Sequence, residues 1–229
     1  MDAPKTKPVV KRKATRSPWM ILSLFALFCV ANPCSLALVM RVGLYEGFQI
    51  DGPSMAPAYQ DGDRVVVSKF QHGLFLPFAD EQLVTWGEPA LGEVLIVHSP
   101  ADDVDIIKRV IGLPGDRIAI RDNVVIRNGV RTEQRGLGRA DGWGGSEIDC
   151  FEERMDGHRW AILYRSFGMP DNFDEVVVPE GHVFVLGDHR DRSSDSRNPR
   201  VGFIPFERIK GRVGMRYYAG DERIECPEP

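Results

Sequence analysis

Between Pro18 and Met40 there is no charged side chain, and this run restricts the chain more than any other feature. As a helix rising ~1.5 Å per residue it spans roughly 33 Å, enough to cross the ~30 Å hydrocarbon core of a bilayer. Lys11-Arg12-Lys13 and Arg16 precede it and Arg41 closes it. Asn32-Pro33 should kink it, which a membrane helix tolerates. The excess of positive charge on the near side predicts a cytoplasmic N-terminus with the remainder outside, and Trp19 suits an interfacial anchor. A cleavable signal peptide is the competing reading, but its apolar part ordinarily covers ~7–15 residues, so length favours a retained anchor. No second run of this length exists. The expected organisation is a basic cytoplasmic tail (1–17), one transmembrane anchor (18–40) and an extracytoplasmic domain (45–229).

The tail also explains the charge balance. Residues 1–18 hold six of the 29 Lys/Arg and one of the 33 Asp/Glu, leaving 23 basic and 32 acidic residues beyond them. An acidic folded part argues against nucleic acid as a partner. Four cysteines are too few for a disulfide framework. Cys29 and Cys34 lie in the apolar run; Cys150 and Cys226 can pair in an oxidising compartment if the fold brings them together.

After the anchor, short Val-, Ile- and Phe-rich runs alternate with Gly, Pro and Asp turns. Strands are predicted near Arg64–Phe70, Glu93–His98, Val104–Ile111, Arg117–Ile120, Val124–Arg127, Trp160–Tyr164, Glu175–Val178, His182–Leu186 and Arg212–Tyr218. Asn128-Gly129 is a tight hairpin turn signal. Residues 129–158 are rich in Gly and charge and read as an insertion or small lobe. The fold class is mainly β and antiparallel. Gly73-Leu74-Phe75-Leu76-Pro77-Phe78 with Trp86 reads either as an apolar edge dipping into the membrane interface or as core.

One serine and one lysine stand out. Ser54 lies in the polar turn Asp51–Pro57, and a serine hydroxyl needs a positioned base before it can attack. Alternation along a strand puts Lys108 on one face with Val104, Ile106 and Val110. Desolvation there would lower its pKa from ~10.4 and leave a neutral amine able to act as base. The other reading is an edge lysine whose stem covers apolar surface while its head reaches water. A third stretch, Gly187–Arg197, crowds hydroxyls and opposite charges behind the apolar strand His182–Leu186, as a rigid loop would.

Four stretches resemble the bacterial type I signal peptidase (leader peptidase) family of membrane-anchored Ser/Lys endopeptidases. In order they are Ser54-Met55-Ala56-Pro57, Asp61–Phe70, Gly92-Glu93-Val94 with Ile107–Asp116, and Gly187–Arg197 with Gly202-Phe203. The resemblance covers most of the chain from residue 51 to about 205. It implies Ser54 as nucleophile, Lys108 as general base and Ser193 as the hydroxyl orienting the amine. Asp195 and Arg197 become a supporting ion pair, Asp188 and Arg190 shape the site, and Met55 is the apolar neighbour of the nucleophile. It further implies a β-rich core with a smaller inserted lobe at about 123–176, no metal or cofactor, and signal-peptide-bearing preproteins and membrane lipid as partners. The location implied is the cytoplasmic membrane, with the catalytic domain on its outer face.

This chain departs from the family at Gly52, where a serine often helps bind the oxyanion. If that donor is lost and not replaced, the loss is ~2.7–4 kcal/mol. The Ser54 N–H would remain, and a glycine admits another backbone N–H. Ala58-Tyr59 and His189 also differ from the usual residues and would reshape the groove. Rival readings are a triad using His98, His182 or His189, a specialised protease for pilin or conjugation substrates, and a non-catalytic peptide-binding paralogue.

Overall fold

The computed structural model describes residues 45–75, 82–142, 145–221 and 223–227, together with Ser23 and Leu27. The chain divides into two compact units, Met1–Met40 and Arg41–Pro229. In the first, Ser23 and Leu27 are helical; the rest of the predicted anchor and the tail lie outside the described residues, as do Leu76–Phe78. No helix among the described residues is long and apolar enough to cross a membrane.

The second unit is built from antiparallel sheets. In chain order the strands are β1 (Tyr45–Gln49), β2 (Arg64–Ser68), β3 (Gly73–Phe75), β4 (Gln82–Thr85), β5 (Val94–His98), β6 (Asp105–Gly112), β7 (Arg117–Arg121) and β8 (Val124–Arg127). They continue with β9 (Val130–Arg131), β10 (Glu133–Asp141), β11 (Glu147–Met155), β12 (His158–Arg165), β13 (Phe173–Val177), β14 (His182–Leu186), β15 (Ile204–Pro205) and β16 (Ile209–Tyr218). A seven-stranded sheet runs β1-β2-β16-β5-β6-β14-β15; β13-β7-β8-β9, β10-β11-β12 and β3-β4 form smaller sheets.

The centre of the large sheet is covered on both faces, so its strands read as continuous apolar runs. Val94, Ile96 and Ile107 pack on one face with Val65, Val67, Val213 and Ile50. Leu95, Val97, Ile106 and Val110 pack on the other with Val183, Val185, Ile204 and Ile209. At the β8–β9 turn Asn128 and Gly129 take φ of 54° and 81°, the left-handed pair that a two-residue hairpin needs.

The stretch read as an insertion or small lobe, 129–158, carries strand structure. It contains the nine-residue strands β10 and β11. Composition hid them because β10 is largely exposed and charged, so no apolar alternation marks it. Pairing supplies the order instead, with Glu133 to Asp141 of β10 meeting Arg154 to Glu147 of β11. Cys150 on β11 is disulfide-bonded to Cys226, with Cα atoms 5.8 Å apart. That bond ties the three-stranded sheet to the C-terminal segment, beside buried Ala56, Ile148, Leu163 and Ile224.

Candidate active site

Ser54 lies in the loop joining β1 to β2. Its base is closed by the Ile50 amide donating to the Asp63 carbonyl (2.8 Å) and the Gly62 amide to the Ile50 carbonyl (2.9 Å). The fully buried Asp63 carboxylate accepts from the Gln60 and Gly220 amides (3.0 and 2.9 Å) and from Arg223 (2.6 Å). Burial alone would raise its pKa, but these donors outweigh burial and hold it below the usual range. The Gln60 amide group exchanges two hydrogen bonds with the Ile224 backbone (2.8 and 2.7 Å), so the C-terminal segment also clamps the loop. Met55 and Ala56 are fully buried behind the serine. The loop is therefore fixed while Ser54 itself stays partly accessible.

Lys108 reaches Ser54 from the middle of β6. Its amine donates to Ser54 Oγ at 3.0 Å and to the Ile107 carbonyl at 2.8 Å. Ile106 and Val110 flank it on its face, and Leu95 is its cross-strand partner. Val104 does not join them; it precedes the strand and is half exposed, because Asp103 turns the chain at φ 57°. Only 3% of Lys108 is exposed. Burial pulls the amine's pKa down from 10.5, Asp195 and Asp188 pull it back up, and the result is about 8. The snorkelling alternative is thereby removed: the head, not just the stem, is buried.

The loop after β14 packs directly on Ser54. The His189 amide donates to the Ser54 carbonyl (3.1 Å) and the Gly187 amide to Asp195 (3.0 Å). A Cβ on Gly187 would collide with Ser193 and with the Ser54 carbonyl, so only glycine permits this approach. Asp195 and Arg197 form a two-pronged pair at 2.8 Å, and Arg197 also reaches Asp171 and the Arg190 carbonyl. Asp188 binds Arg109 in the same bidentate way (2.7 and 2.6 Å). Arg190 is paired with buried Glu153. Burial opposes the Arg190 and Arg197 charges, but their carboxylate partners hold both pKa values well above normal.

One sequence expectation changes here. Among the described residues the Ser193 hydroxyl is buried without a hydrogen-bond partner, and the bond expected from it to the Lys108 amine is not formed. The Ile107 carbonyl orients the amine instead. Gly52, at φ 88°, has its N–H committed to Asp61 (2.7 Å). The Ser54 N–H, by contrast, has no hydrogen-bond partner among the described residues.

His98 and His182 engage groups of their own, whereas His189 sits in the loop that abuts Ser54. His98 lies between Asp103 and Asp105 at the far end of β5, and His182 Nδ1 meets the Glu180 carbonyl. Burial, with Arg192 and Arg165 nearby, pushes His189 down to about 4, so it is uncharged at neutral pH. Trp86 stacks edge-on against exposed Phe70 and is about half exposed.

Sequence reasoning passed over Arg109, Glu153 and Asp171. Arg109 follows Lys108 inside the recognised run and gave that much signal. Glu153 and Asp171 sit among other surface-like charges, and only their burial or pairing sets them apart.

The antiparallel β fold thus brings a buried lysine within hydrogen-bonding distance of a loop serine. The family described as "Signal peptidase, peptidase S26" matches residues 19–218, and the chain belongs to it. Signal peptidase I of Pseudomonas fluorescens is 36% identical over 78% of this chain and 66% of its own length. That of Pseudomonas aeruginosa is 31% identical over 90% and 75%, and that of Rickettsia prowazekii 35% over 80% and 76%. The chain thus spans about two thirds to three quarters of these relatives. Membership makes it a serine endopeptidase.

Proposed function

We propose that this chain removes signal peptides from exported preproteins, with Ser54 as nucleophile and neutral Lys108 as its base. The observation that carries this is the 3.0 Å approach of a buried amine, its pKa lowered to about 8, to the Ser54 hydroxyl. Ser54 Oγ attacks the scissile carbonyl carbon while its proton passes to Nζ. The oxyanion meets the Ser54 N–H. The ammonium then returns the proton to the departing amine, which leaves an acyl-enzyme on Ser54. A water deprotonated by the same amine hydrolyses that ester and regenerates the serine. Asp188, Arg190, Asp195 and Arg197 act as the frame of the loop that abuts Ser54 rather than in proton transfer.

Residues 18–40 serve as a single transmembrane anchor, with the tail 1–17 in the cytoplasm and 45–229 on the outer face of the cytoplasmic membrane. The Cys150–Cys226 bond supports an oxidising outer side. Residues of about 123–176 form the inserted lobe. A preprotein held by its own apolar segment then meets the serine at the bilayer surface.

The test is purified full-length chain incubated with a model preprotein, wild type beside Ser54→Ala and Lys108→Ala, with N-terminal sequencing of the product. Both variants should lose cleavage at the signal-peptide junction. Retained activity in Lys108→Ala would refute the lysine base. Accessibility of residues beyond 45 to protease from the outer side only checks the topology.

A further inference from the structure

The β8–β9 hairpin, the start of β10 and the β11–β12 turn enclose a cleft of about 440 Å³ that shares no lining residue with the Ser54–Lys108 site. Four arginines line it (Arg127, Arg131, Arg154 and Arg159) against two acids, Glu133 and Asp156. Asp156 is already taken by Arg127, which also binds Asp116 at 2.7 Å. Arg154 has Glu133 opposite it on β10 and leans on Glu152 (2.7 Å). Arg131 and Arg159 are exposed and make no ion pair or side-chain hydrogen bond among the described residues.

The pairing of β11 with β12 sets Arg154 directly opposite Arg159. Like charges facing each other across strands destabilise the pair. Glu133 and Glu152 answer Arg154, but no carboxylate among the described residues pairs with Arg159. The floor of the cleft is preformed. Thr132 is buried and donates to Glu153 (3.3 Å), and Asp156-Gly157 hold a tight turn at φ 46° and 79°.

We propose that this cleft is an anion site that takes a phosphate-bearing group, held chiefly by Arg131 and Arg159 with Arg154 between them. The three guanidinium groups come from three strands, β9, β11 and β12, and line one cleft. A tetrahedral phosphate offers oxygens to all of them, whereas a planar carboxylate serves one fork at a time. The group is either a soluble phosphate or the headgroup of an anionic phospholipid. This proposal does not depend on the proposed proteolysis.

The experiment is titration of full-length protein in neutral detergent at low salt with inorganic pyrophosphate, followed by calorimetry. Saturable binding is expected, weakened at least about tenfold in Arg131→Gln/Arg159→Gln and retained in Arg200→Gln, a charge removed outside the cleft. Both altered arginines are exposed, so the fold should persist, and an unchanged unfolding curve checks this. Repeating the titration in phosphatidylcholine nanodiscs with and without phosphatidylglycerol separates the two sources. Competition by phosphatidylglycerol identifies the headgroup, and its absence identifies a soluble phosphate. No saturable binding, or equal weakening in Arg200→Gln, overturns the site.

Discussion

Replacing Lys108 by Met keeps a side chain of similar length and removes the amine, which separates two consequences of its burial. The pKa falls from 10.5 to about 8. At pH 7 that leaves roughly one lysine in ten neutral, against roughly one in 3,000 without the shift. Wild-type cleavage should therefore rise about tenfold per pH unit below about 8 and level off above it, while Lys108→Met stays inactive throughout. Stability carries the same signature. Between pH about 8 and 10.5 the unfolded chain binds more protons at this site than the folded one, so the wild type gains stability as pH rises through that window. At 1.36 kcal/mol per unit the gain is roughly 3 kcal/mol. Below about pH 8 both states are protonated and the contribution is flat. Urea unfolding of both proteins in detergent, at intervals from pH 7 to 10.5, isolates it, because other titrating groups cancel in the difference. The wild type should gain on Lys108→Met by that amount. Parallel stability curves, or cleavage that ignores pH between 6 and 8, would refute a buried, depressed amine at Ser54.

Other perturbations test the frame around the dyad. Gly187→Ala should cut kcat by more than about a hundredfold, because its Cβ meets the Ser54 carbonyl and displaces the reacting atoms; unchanged kcat with a folded protein counts against that contact. Glu153→Gln leaves the Arg190 charge buried without its partner, and should cost about 3–5 kcal/mol in a urea melt. Opening the Cys150–Cys226 bond by Cys226→Ser should cost about 2–5 kcal/mol and lower activity too, since the same segment clamps Gln60 in the nucleophile loop. A melt and a cleavage assay on one sample read both effects.

Local chemistry was enough to expose much of this protein. Alternating apolar runs marked β2, β5 to β8 and β14, because strands buried on one or both faces must be apolar there. Asn128-Gly129 announced its turn because few residue pairs accept two left-handed conformations. Ser54, Lys108 and the Asp195–Arg197 pair were legible because their neighbours in the chain carry the pattern. What sequence left open depended on partners distant along the chain. Whether Lys108 snorkels or is buried turns on Leu95 and the β14 side of the sheet packing over it. Whether Ser193 or a carbonyl orients the amine is a matter of ångströms that residue type does not encode. Glu153 and Arg190, Asp188 and Arg109, and Cys150 and Cys226 are separated by 37, 79 and 76 residues, and pairing across such gaps is created by strand register. Residue identity decided which groups were available for chemistry; tertiary packing decided which were dried, paired and aimed, because desolvation and charge coupling act through space and not along the chain.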